Sequence, residues 1–440
     1  MLEDDVAGVG PPVRDRPEFG PVAAGQVPQA WGSQRGGLEL RGADDPAVPA
    51  FEPRHEGVVE GHSRIIPDAS LPALRGAWVT VDLRSVASNV RALRGWLPPH
   101  THLMAVVKAD GYGHGSLAVA QTAISAGADM AAVATVSEGI RLRQAGTRNP
   151  LLLLSLVQAD ALESALANDL QITVSSVEGL DVASRRATAL GRSARVHLKV
   201  DTGMTRVGAA LADATALVER ALALPGVELT GFCTHLACAE DEDAAATALQ
   251  LERFEQGVVA AGLPTGVLRH AANSAATLYH PRSHWDMVRP GLMLYGLAPA
   301  PGRDVPFPLT PAMTVTARVA QVRDVPAGTP VGYGWRFTTP RPTRLAILPV
   351  GYADGLPRAL SNRGQVLVGG RRLRIVGTIS MDQCVVDAGD LPVRVGDEAV
   401  LLGEQGGDRI TVEEWAAGAG TISYEIICGL GRRLPKLYIR

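Results

Sequence analysis

Apolar residues recur along the middle of the chain with two different spacings. Between about residues 78 and 271, short apolar runs such as Val79–Leu83 predict strands, and apolar residues three or four apart predict helices. The first such helix is predicted where apolar side chains recur at Val86, Val90, Leu93 and Leu97. About eight strand–helix pairs fit, which predicts parallel βαβ units and is enough for a (β/α)8 barrel. A doubly wound sheet is the alternative, but no G-x-G-x-x-G follows the first strand.

The pattern changes near residue 310 to short, valine-rich runs separated by Gly, Pro or Asp. The runs are Met313–Val322, Thr343–Pro349, Gln365–Val368, Leu373–Val376, Cys384–Asp387 and Glu398–Leu402. Gly369–Gly370, between two of them, is typical of a hairpin turn. A last helix is predicted around Val412–Ala417. The chain is therefore predicted to be of the α/β class, with a TIM-like (β/α)8 barrel over residues 73–310 and a mostly β domain over residues 311–440.

The first part of the chain shows neither spacing. Glycine and proline make up 19 of the first 70 residues, and no helical or alternating apolar pattern persists there. This composition predicts that residues 1–72 are a disordered extension. The alternative is that translation starts further downstream and the segment is not made.

Charge and composition exclude several classes of function. The 42 basic residues nearly balance the 45 acidic ones, so neither nucleic-acid nor anionic-membrane binding is predicted. No apolar run reaches the roughly 18 residues of a membrane span. The acidic start is unlike a secretory signal, and the four cysteines lack C-x-x-C spacing. We therefore expect a cytoplasmic protein with reduced thiols and no metal site.

Lysine is rare in this chain. Only Lys108, Lys199 and Lys436 occur among the 42 basic residues. Arginine keeps its proton, whereas lysine can lose it and form a Schiff base through its amine. Lys108 and Lys199 are therefore candidates for chemistry, and Lys436, near the C-terminus, is expected to be an ordinary surface residue.

Lys108 directly follows the predicted strand Leu103–Val107 and begins a glycine-rich turn. The carboxyl ends of the strands form the active-site mouth of a barrel. An amine at such a position is partly desolvated, which lowers its pKa and makes it a nucleophile or a base. The structural alternative is a lysine reaching from a strand end to solvent, beside a turn that requires glycine.

Polar residues also follow later strands. His197, Lys199 and Asp201 alternate along one strand and share a face, where Lys199 and Asp201 could form an internal ion pair. His235, Asn273–Ser274 and Arg289–Gly291 end further candidate strands. Glycine turns and a hydroxyl at late strand ends suit a phosphate, and with a Schiff-base lysine they suggest pyridoxal 5′-phosphate.

Val107–Gly115, which reads Val-Lys-Ala-Asp-Gly-Tyr-Gly-His-Gly, resembles the cofactor-lysine signature of the alanine racemases. The resemblance runs from about Trp78 to the C-terminus. It continues through segments at Lys199–Arg206, Thr234–His235, Asn273–Ser274, Val288–Gly291, Gly332–Gly334, Gly351–Gly355, Ser380–Gln383 and Ile422–Glu425. Each segment is weak alone, but their order across both domains is specific.

The resemblance implies that Lys108 holds the cofactor and acts as a base on one face of the substrate Cα. Tyr333 of the partner subunit, in a head-to-tail homodimer, would be the base on the opposite face. Arg289 would face the pyridine nitrogen, and His235 would stack on the ring. The remaining cofactor residues are expected to be Tyr112, Asn273, Ser274, Gly291, Leu292 and Tyr424, of which all but Asn273 would meet the phosphate.

The resemblance also implies a substrate side. Arg206 and the backbone of Met381, beside Asp382, would bind the substrate carboxylate. Tyr352 would narrow the access corridor, in which Arg358 would also lie, and Lys199 matches a position that carries a carbamate in some relatives. Thr378 departs from the pattern, because relatives often have arginine there.

The function expected from this resemblance is pyridoxal-phosphate-dependent racemisation of alanine, which supplies D-alanine for peptidoglycan. A serine-preferring or broader racemase is one alternative, since Thr378 changes the access corridor. A non-catalytic cofactor carrier of the same barrel type is the other. The second domain, with Tyr333 and Met381, argues against the carrier, because such carriers resemble only the barrel.

Overall fold

A computed structural model describes residues 75–430 and 433–440. The expectation for residues 1–72 lies outside these ranges. None of the helices in the described ranges is both long enough and apolar enough to span a bilayer.

Nine strands precede residue 290 in the described chain, and eight of them form a barrel. They are β1 (Ala77–Asp82), β2 (His102–Val106), β3 (Met130–Val133), β4 (Leu151–Leu156), β5 (Gln171–Val174), β6 (Ala194–Lys199), β7 (Val227–Cys233), β8 (Leu268–His270) and β9 (Met287–Val288). The parallel barrel runs in the order β8-β7-β6-β5-β4-β3-β2-β9. Its two ends meet where Asp286 N donates to Arg269 O (3.1 Å) and Arg289 N donates to Ala272 O (3.0 Å). The predicted (β/α)8 fold is confirmed.

Helices follow the strands along the chain, as the spacing predicts. They are α1 (Leu83–Trp96), α2 (Ser116–Ser125), α3 (Val136–Gln144), α4 (Leu162–Ala167), α5 (Val177–Ala189), α6 (Ala214–Ala223), α7 (Ala245–Ala261) and α8 (Ser274–Tyr279). The apolar spacing predicts a helix over Ile140–Gln144, but α3 begins four residues earlier, at Val136. Its start is determined by a capping box: Thr135 Oγ1 accepts from Glu138 N, and the Glu138 carboxylate accepts from Thr135 N.

The C-terminal domain is built on a second, largely antiparallel sheet. Its strands are β10 (Met313–Arg318), β11 (Gln321–Val325), β14 (Thr343–Leu348), β15 (Gln365–Val368), β16 (Arg371–Val376), β17 (Cys384–Gly389), β18 (Glu398–Gln405), β19 (Asp408–Ile410) and β20 (Lys436–Ile439). The short strands β12 (Pro330–Val331) and β13 (Phe337–Thr338) pair separately, and helices α9 (Val412–Ala419) and α10 (Ser423–Gly429) precede β20. This mostly β domain agrees with the predicted fold class.

Strand β1 corrects one prediction. Val79–Leu83 is predicted to open the barrel, but β1 lies in the second sheet, where Val79 is opposite Val315 of β10 and Lys436 of β20. The eighth barrel strand is instead β9, which has only two residues and is too short for an apolar spacing to reveal. The order of elements along a chain does not say which strand pairs with which, so the predicted number of barrel strands is right although one member is wrong.

Candidate active site

Lys108 lies at the carboxyl end of the barrel. Val106 N donates to Pro290 O (3.0 Å) and Val107 N donates to Ala132 O (2.8 Å), so the chain entering Lys108 is held between the ends of β9 and β3. Burial, and after it the nearby Arg206 guanidinium, lowers the pKa of the Lys108 amine. The amine therefore has the increased neutral fraction that a base or nucleophile requires.

The residues after Lys108 form a left-handed turn. The φ angle is positive at five consecutive residues, with values of 52°, 54°, 61°, 51° and 81° from Ala109 to Gly113. Each non-glycine residue in this conformation costs about 1–2 kcal/mol. Gly113 is required for a second reason, because a Cβ there would lie 2.1 Å from Ile427 O of helix α10. The sequence predicts a glycine-rich turn here, but not that Ala109, Asp110 and Tyr112 share the left-handed conformation.

A cradle of hydroxyl groups and bare backbone lies beside this turn. Gly291 N donates to Ser274 Oγ (2.9 Å), and a Cβ on Gly291 would lie 2.5 Å from Tyr112 Oη. The Tyr112 and Tyr424 rings have centroids 6.0 Å apart, and burial raises the pKa of Tyr424 to about 12, so both phenols stay protonated donors. Leu292 follows Gly291 and begins a short 3-10 helix. The fold thus brings together the residues expected around a phosphate.

Asn273 has a structural contact. Its Oδ1 accepts from Ala276 N (2.9 Å), which caps helix α8 and fixes the backbone of the adjacent Ser274.

Arg289 heads a buried chain of hydrogen bonds. Its Nη1 donates to His270 Nδ1 (2.7 Å), so the His270 proton is on Nε2, which donates to His197 Nδ1 (2.8 Å). His197 Nε2 in turn donates to Gln171 Oε1 (2.8 Å). Burial and the Arg289 charge lower the pKa of His197 to about 3, so the chain is neutral beyond the guanidinium. A Cβ on Gly231 would lie 2.1 Å from His197 Nδ1, which explains the glycine opposite that ring.

The Arg289 guanidinium has further neutral partners. Its Nη2 donates to Thr234 O (2.8 Å) and Ala271 O (2.9 Å), and it lies 3.3 Å from His235 Nδ1. His235 therefore lies at the same mouth. The sequence analysis did not identify Gln171 and His270. The alternation of polar residues through His197 was the only feature of the sequence that pointed to this series of hydrogen bonds.

Lys199, at the end of β6, is half-buried and does not form the ion pair left open by the sequence. The Asp201 carboxylate instead accepts from Gly203 N and Met204 N (2.8 Å each) and from Arg206 N (3.2 Å), and so shapes the turn that carries Arg206. Burial is the main cause that lowers the pKa of the Lys199 amine, and the cations of Arg289 and Arg206 add to it.

Four cations therefore converge at the barrel mouth. Arg206 and Arg289 both lower the pKa values of Lys108 and Lys199, so the four groups interact. In the described ranges, no carboxylate oxygen lies within 4 Å of any of these four side-chain cations. Arg289 is buried, Lys108 and Lys199 are half-buried and Arg206 is exposed. Positive charge that is at least partly buried and has no carboxylate counter-ion favours an anionic ligand at this position.

The expected substrate and second-base residues lie on turns of the C-terminal domain. Tyr333 is 73% exposed, Met381 53% and Tyr352 42%. Thr378 Oγ1 donates to Tyr333 O (2.9 Å) from an almost fully buried position. Across the described residues, the Tyr333 hydroxyl forms no hydrogen bond and its ring no aromatic contact. A single chain therefore leaves this side chain available to another molecule.

The Tyr352 and Met381 turns are tied to each other. Tyr352 N donates to Ser380 O and Ala353 N donates to Met381 O (3.0 Å each). Asp354, fully buried, pairs with Arg75 and Arg433.

Arg433 Nη2 also binds Asp382 (2.7 Å), which links the two turns once more. Arg358 is exposed on the next turn.

Comparison with known proteins identifies the family. The family model for the alanine racemase N-terminal domain matches residues 81–299, and that for the C-terminal domain matches residues 312–438. The chain belongs to the alanine racemase family. The resemblance carried by the Lys108 signature is confirmed, and the protein is an amino-acid racemase, an isomerase.

Individual racemases match over nearly their whole length. An alanine racemase of Symbiobacterium thermophilum is 48% identical over 372 residues, which is 84% of this chain and 98% of that protein. The crystal structure of alanine racemase from the D-cycloserine-producing Streptomyces lavendulae is 41% identical, with a TM-score of 0.79 over 83% of this chain and 97% of that one. The alanine racemase of Bartonella henselae with covalently bound pyridoxal phosphate is 33% identical, with a TM-score of 0.75 over 83% and 99%.

Proposed function

We propose that this racemase interconverts L- and D-alanine with pyridoxal 5′-phosphate, using Lys108 and Tyr333 of the partner subunit as its two bases. The observation that carries the proposal is the arrangement at the barrel mouth. An amine with lowered pKa, a hydroxyl-lined cradle around Gly291 and the buried Arg289 occur together, and no carboxylate of residues 75–430 or 433–440 pairs with the Lys108 amine or with Arg289.

These residues fit the cofactor. Its phosphate would meet Tyr112, Ser274, Tyr424 and the backbone of Gly291 and Leu292, where bare backbone and three hydroxyl groups replace bulky side chains. The Lys108 amine would hold it covalently, His235 would lie against its ring, and Asn273 would support Ser274. When bound, the cofactor delocalises the negative charge that develops at the substrate Cα as its proton leaves. The pyridoxal phosphate bound covalently to the Bartonella relative supports this assignment.

Arg289 would meet the pyridine nitrogen. A guanidinium does not give up its proton, and the chain through His270 and His197 to Gln171 orients it. That nitrogen would then accept a hydrogen bond and stay unprotonated, which moderates electron withdrawal.

Racemisation needs one group to remove the Cα proton and a second to return one on the opposite face. Lys108 is placed for the first role by its burial and lowered pKa. Tyr333, exposed on its turn in a single chain, would supply the base on the second face from another subunit, in a head-to-tail homodimer. The exposed Trp335, Met381 and Tyr352 on neighbouring turns support the same contact surface.

Substrate recognition follows from the remaining cations and turns. Arg206 and the Met381 backbone, beside Asp382, would bind the substrate carboxylate. Tyr352 and Arg358 would line the access corridor and favour a methyl side chain. Thr378 is almost fully buried and donates its hydroxyl proton to Tyr333 O, so that proton is not available to a substrate hydroxyl.

Lys199 is the residue for which we infer carbamylation. Carbamylation requires a neutral amine, and burial lowers the pKa of Lys199 towards that state. A carbamate would add an anion beside Arg206 and reduce the repulsion among the four cations. Native mass spectrometry of the protein with and without bicarbonate tests this carbamylation, and the Lys199→Ala variant is the control.

Chiral chromatography of L-alanine and L-serine, each incubated with protein and pyridoxal phosphate, tests the function. We expect D-alanine to approach an equal mixture with little D-serine. Lys108→Ala should abolish racemisation and the visible absorption of the covalently bound cofactor. Tyr333→Phe should stay folded and bind cofactor, because the hydroxyl is exposed, but lose racemisation.

Either of two results would overturn this assignment: racemisation retained by Lys108→Ala, or no D-amino acid from folded, cofactor-loaded wild type. Faster D-serine formation would favour the serine-preferring racemase. Complementation of a D-alanine auxotroph by the gene would support the role in peptidoglycan supply. The cytoplasmic location stays a prediction.

A further inference from the structure

Glu138 is a buried carboxylate at the back of the Lys108 turn. Its Oε1 accepts from Ala109 N (2.7 Å), and its Oε2 accepts from Ala134 N (2.9 Å) and Thr135 N (3.1 Å). One side chain therefore ties the residue directly after Lys108 to the end of β3 and the start of α3. Only 8% of Glu138 is exposed, so these three amides replace water as the hydrogen-bond donors to its carboxylate.

The other side of the same turn is held by Asp110. Its Oδ1 accepts from Ser116 N (3.1 Å), and its Oδ2 lies 3.0 Å from Lys436 Nζ on β20. Lys436 is thus not the ordinary surface residue expected from the sequence, since only 17% of its side chain is exposed. These contacts explain how Ala109, for which positive φ is costly, remains left-handed beside Asp110, whose residue type tolerates this conformation better.

The backbone amide of Ala109 needs a hydrogen-bond acceptor from outside the turn. Within the turn, Gly111 N donates to Val107 O (2.9 Å) and Gly113 N donates to Ala109 O (3.1 Å). The Ala109 amide, at the start of the turn, has no acceptor inside it, as is usual for the first amides of a helix. Glu138 supplies that acceptor, and it also opposes the lowering of the Lys108 pKa that burial and Arg206 cause.

We propose that Glu138 is a positioning residue of this racemase, whose carboxylate holds the left-handed turn that aims the Lys108 amine into the barrel mouth. The inference rests on the proposed function, because it assigns Lys108 to the cofactor. The competing explanation is that Glu138 only caps helix α3 through its capping box with Thr135.

Two substitutions separate these explanations. Glu138→Gln keeps the shape but exchanges one oxygen for an NH2 group, which cannot accept a hydrogen bond, so it cannot serve Ala109 and the Ala134–Thr135 amides together. Thr135→Ala weakens the cap but leaves the bond to Ala109. Glu178→Gln is the matched control, since it removes an exposed carboxylate from the first turn of α5.

The experiment compares the cofactor-loaded variants in three measurements. These are kcat and KM for L-alanine, the rate of pyridoxal phosphate release, and the pH midpoint of the bound cofactor's absorption change. For Glu138→Gln we expect kcat to fall at least tenfold with KM within about threefold, cofactor release at least tenfold faster, and a shifted midpoint. Thr135→Ala and Glu178→Gln should stay within about twofold of wild type in all three.

A rescue variant strengthens the test. Glycine adopts positive φ without strain, so Ala109→Gly in the Glu138→Gln background should recover at least threefold in kcat and cofactor retention. If Glu138→Gln alone does not fold, the double variant takes its place and should still release cofactor at least threefold faster than wild type.

The proposal is overturned if Thr135→Ala and Glu138→Gln lose kcat and cofactor equally, or if Glu138→Gln stays within twofold of wild type. A wild type that holds cofactor but does not racemise alanine would refute the proposed function instead. The cofactor-release comparison would still decide the role of Glu138.

Discussion

Thr378→Val tests how Tyr333, the proposed second base, is held. Thr378 Oγ1 donates a 2.9 Å hydrogen bond to Tyr333 O, and the threonine is 8% exposed. Valine has nearly the same shape, so the substitution removes the hydrogen bond without opening a cavity. The turn that carries Tyr333 has positive φ at Gly332 (70°) and Gly334 (71°), and its internal backbone hydrogen bond from Trp335 N to Gly332 O is long, at 3.4 Å.

The expected magnitude follows from the lost bond. A carbonyl left without its donor in a mostly buried place costs about 1–3 kcal/mol, and access to water from the exposed side of Tyr333 favours the lower half of that range. A loss of about 1–2 kcal/mol in the orientation of Tyr333 corresponds to a fall of about 5- to 30-fold in kcat/KM. Stability should change by no more than this amount.

The assay has to be directional. L- and D-alanine have equal free energies in water, so every variant has the same kcat/KM in both directions, and rates alone cannot assign a base. The α-deuterium isotope effect can. If Tyr333 removes the proton of L-alanine, Thr378→Val should raise the isotope effect with L-alanine and leave it unchanged or smaller with D-alanine.

Thr378→Ser is the matched control, since it keeps the hydroxyl donor. We expect it to stay within about twofold of wild type. Two results would refute the reasoning. One is an unchanged kcat/KM with unchanged isotope effects in Thr378→Val, and the other is an equal loss in Thr378→Ser.

Two further predictions concern the buried histidines. Gly231→Ala would place a Cβ 2.1 Å from His197 Nδ1, so we expect urea unfolding to show a loss of about 1–3 kcal/mol and cofactor to dissociate faster; unchanged stability would contradict the packing argument. Burial lowers the pKa of His114 to about 4 and of His197 to about 3, so the unfolded chain binds these protons first. Stability is therefore full above the ordinary histidine pKa of about 6.5 and falls towards the folded values, by about 2 kcal/mol per histidine at pH 5. Equal urea midpoints at pH 7 and pH 5 would disprove it.

The periodic parts of the fold follow from the sequence. Strands β2 to β8 and most barrel helices lie where the apolar spacing predicts them. Each helix buries one apolar stripe in the core, and each barrel strand buries both of its faces. The exceptions are local. Helix α3 begins at a polar capping box that an apolar pattern does not detect, and β9 is two residues long.

The candidate site likewise contains some residues that the sequence reveals and others that it does not. Lys108 stands out because lysine is scarce and follows a strand, and the ordered motifs identify the family. Gln171 and His270 were missed, because a single buried polar side chain carries no pattern in sequence. Lys436 was wrongly expected to be an ordinary surface residue, since only the parallel pairing of β20 with β1 brings it towards Asp110.

Composition, apolar periodicity and ordered motifs are properties of neighbours along the chain. They were enough for the fold class, the two kinds of domain and the choice of Lys108 as the candidate for the chemistry. The pairing of β1, the left-handed turn after Lys108 and its bond to Glu138, 29 residues after Ala109, depend on contacts between distant segments. Such contacts exist only once packing has brought the segments together and excluded water, so the tertiary structure decides them.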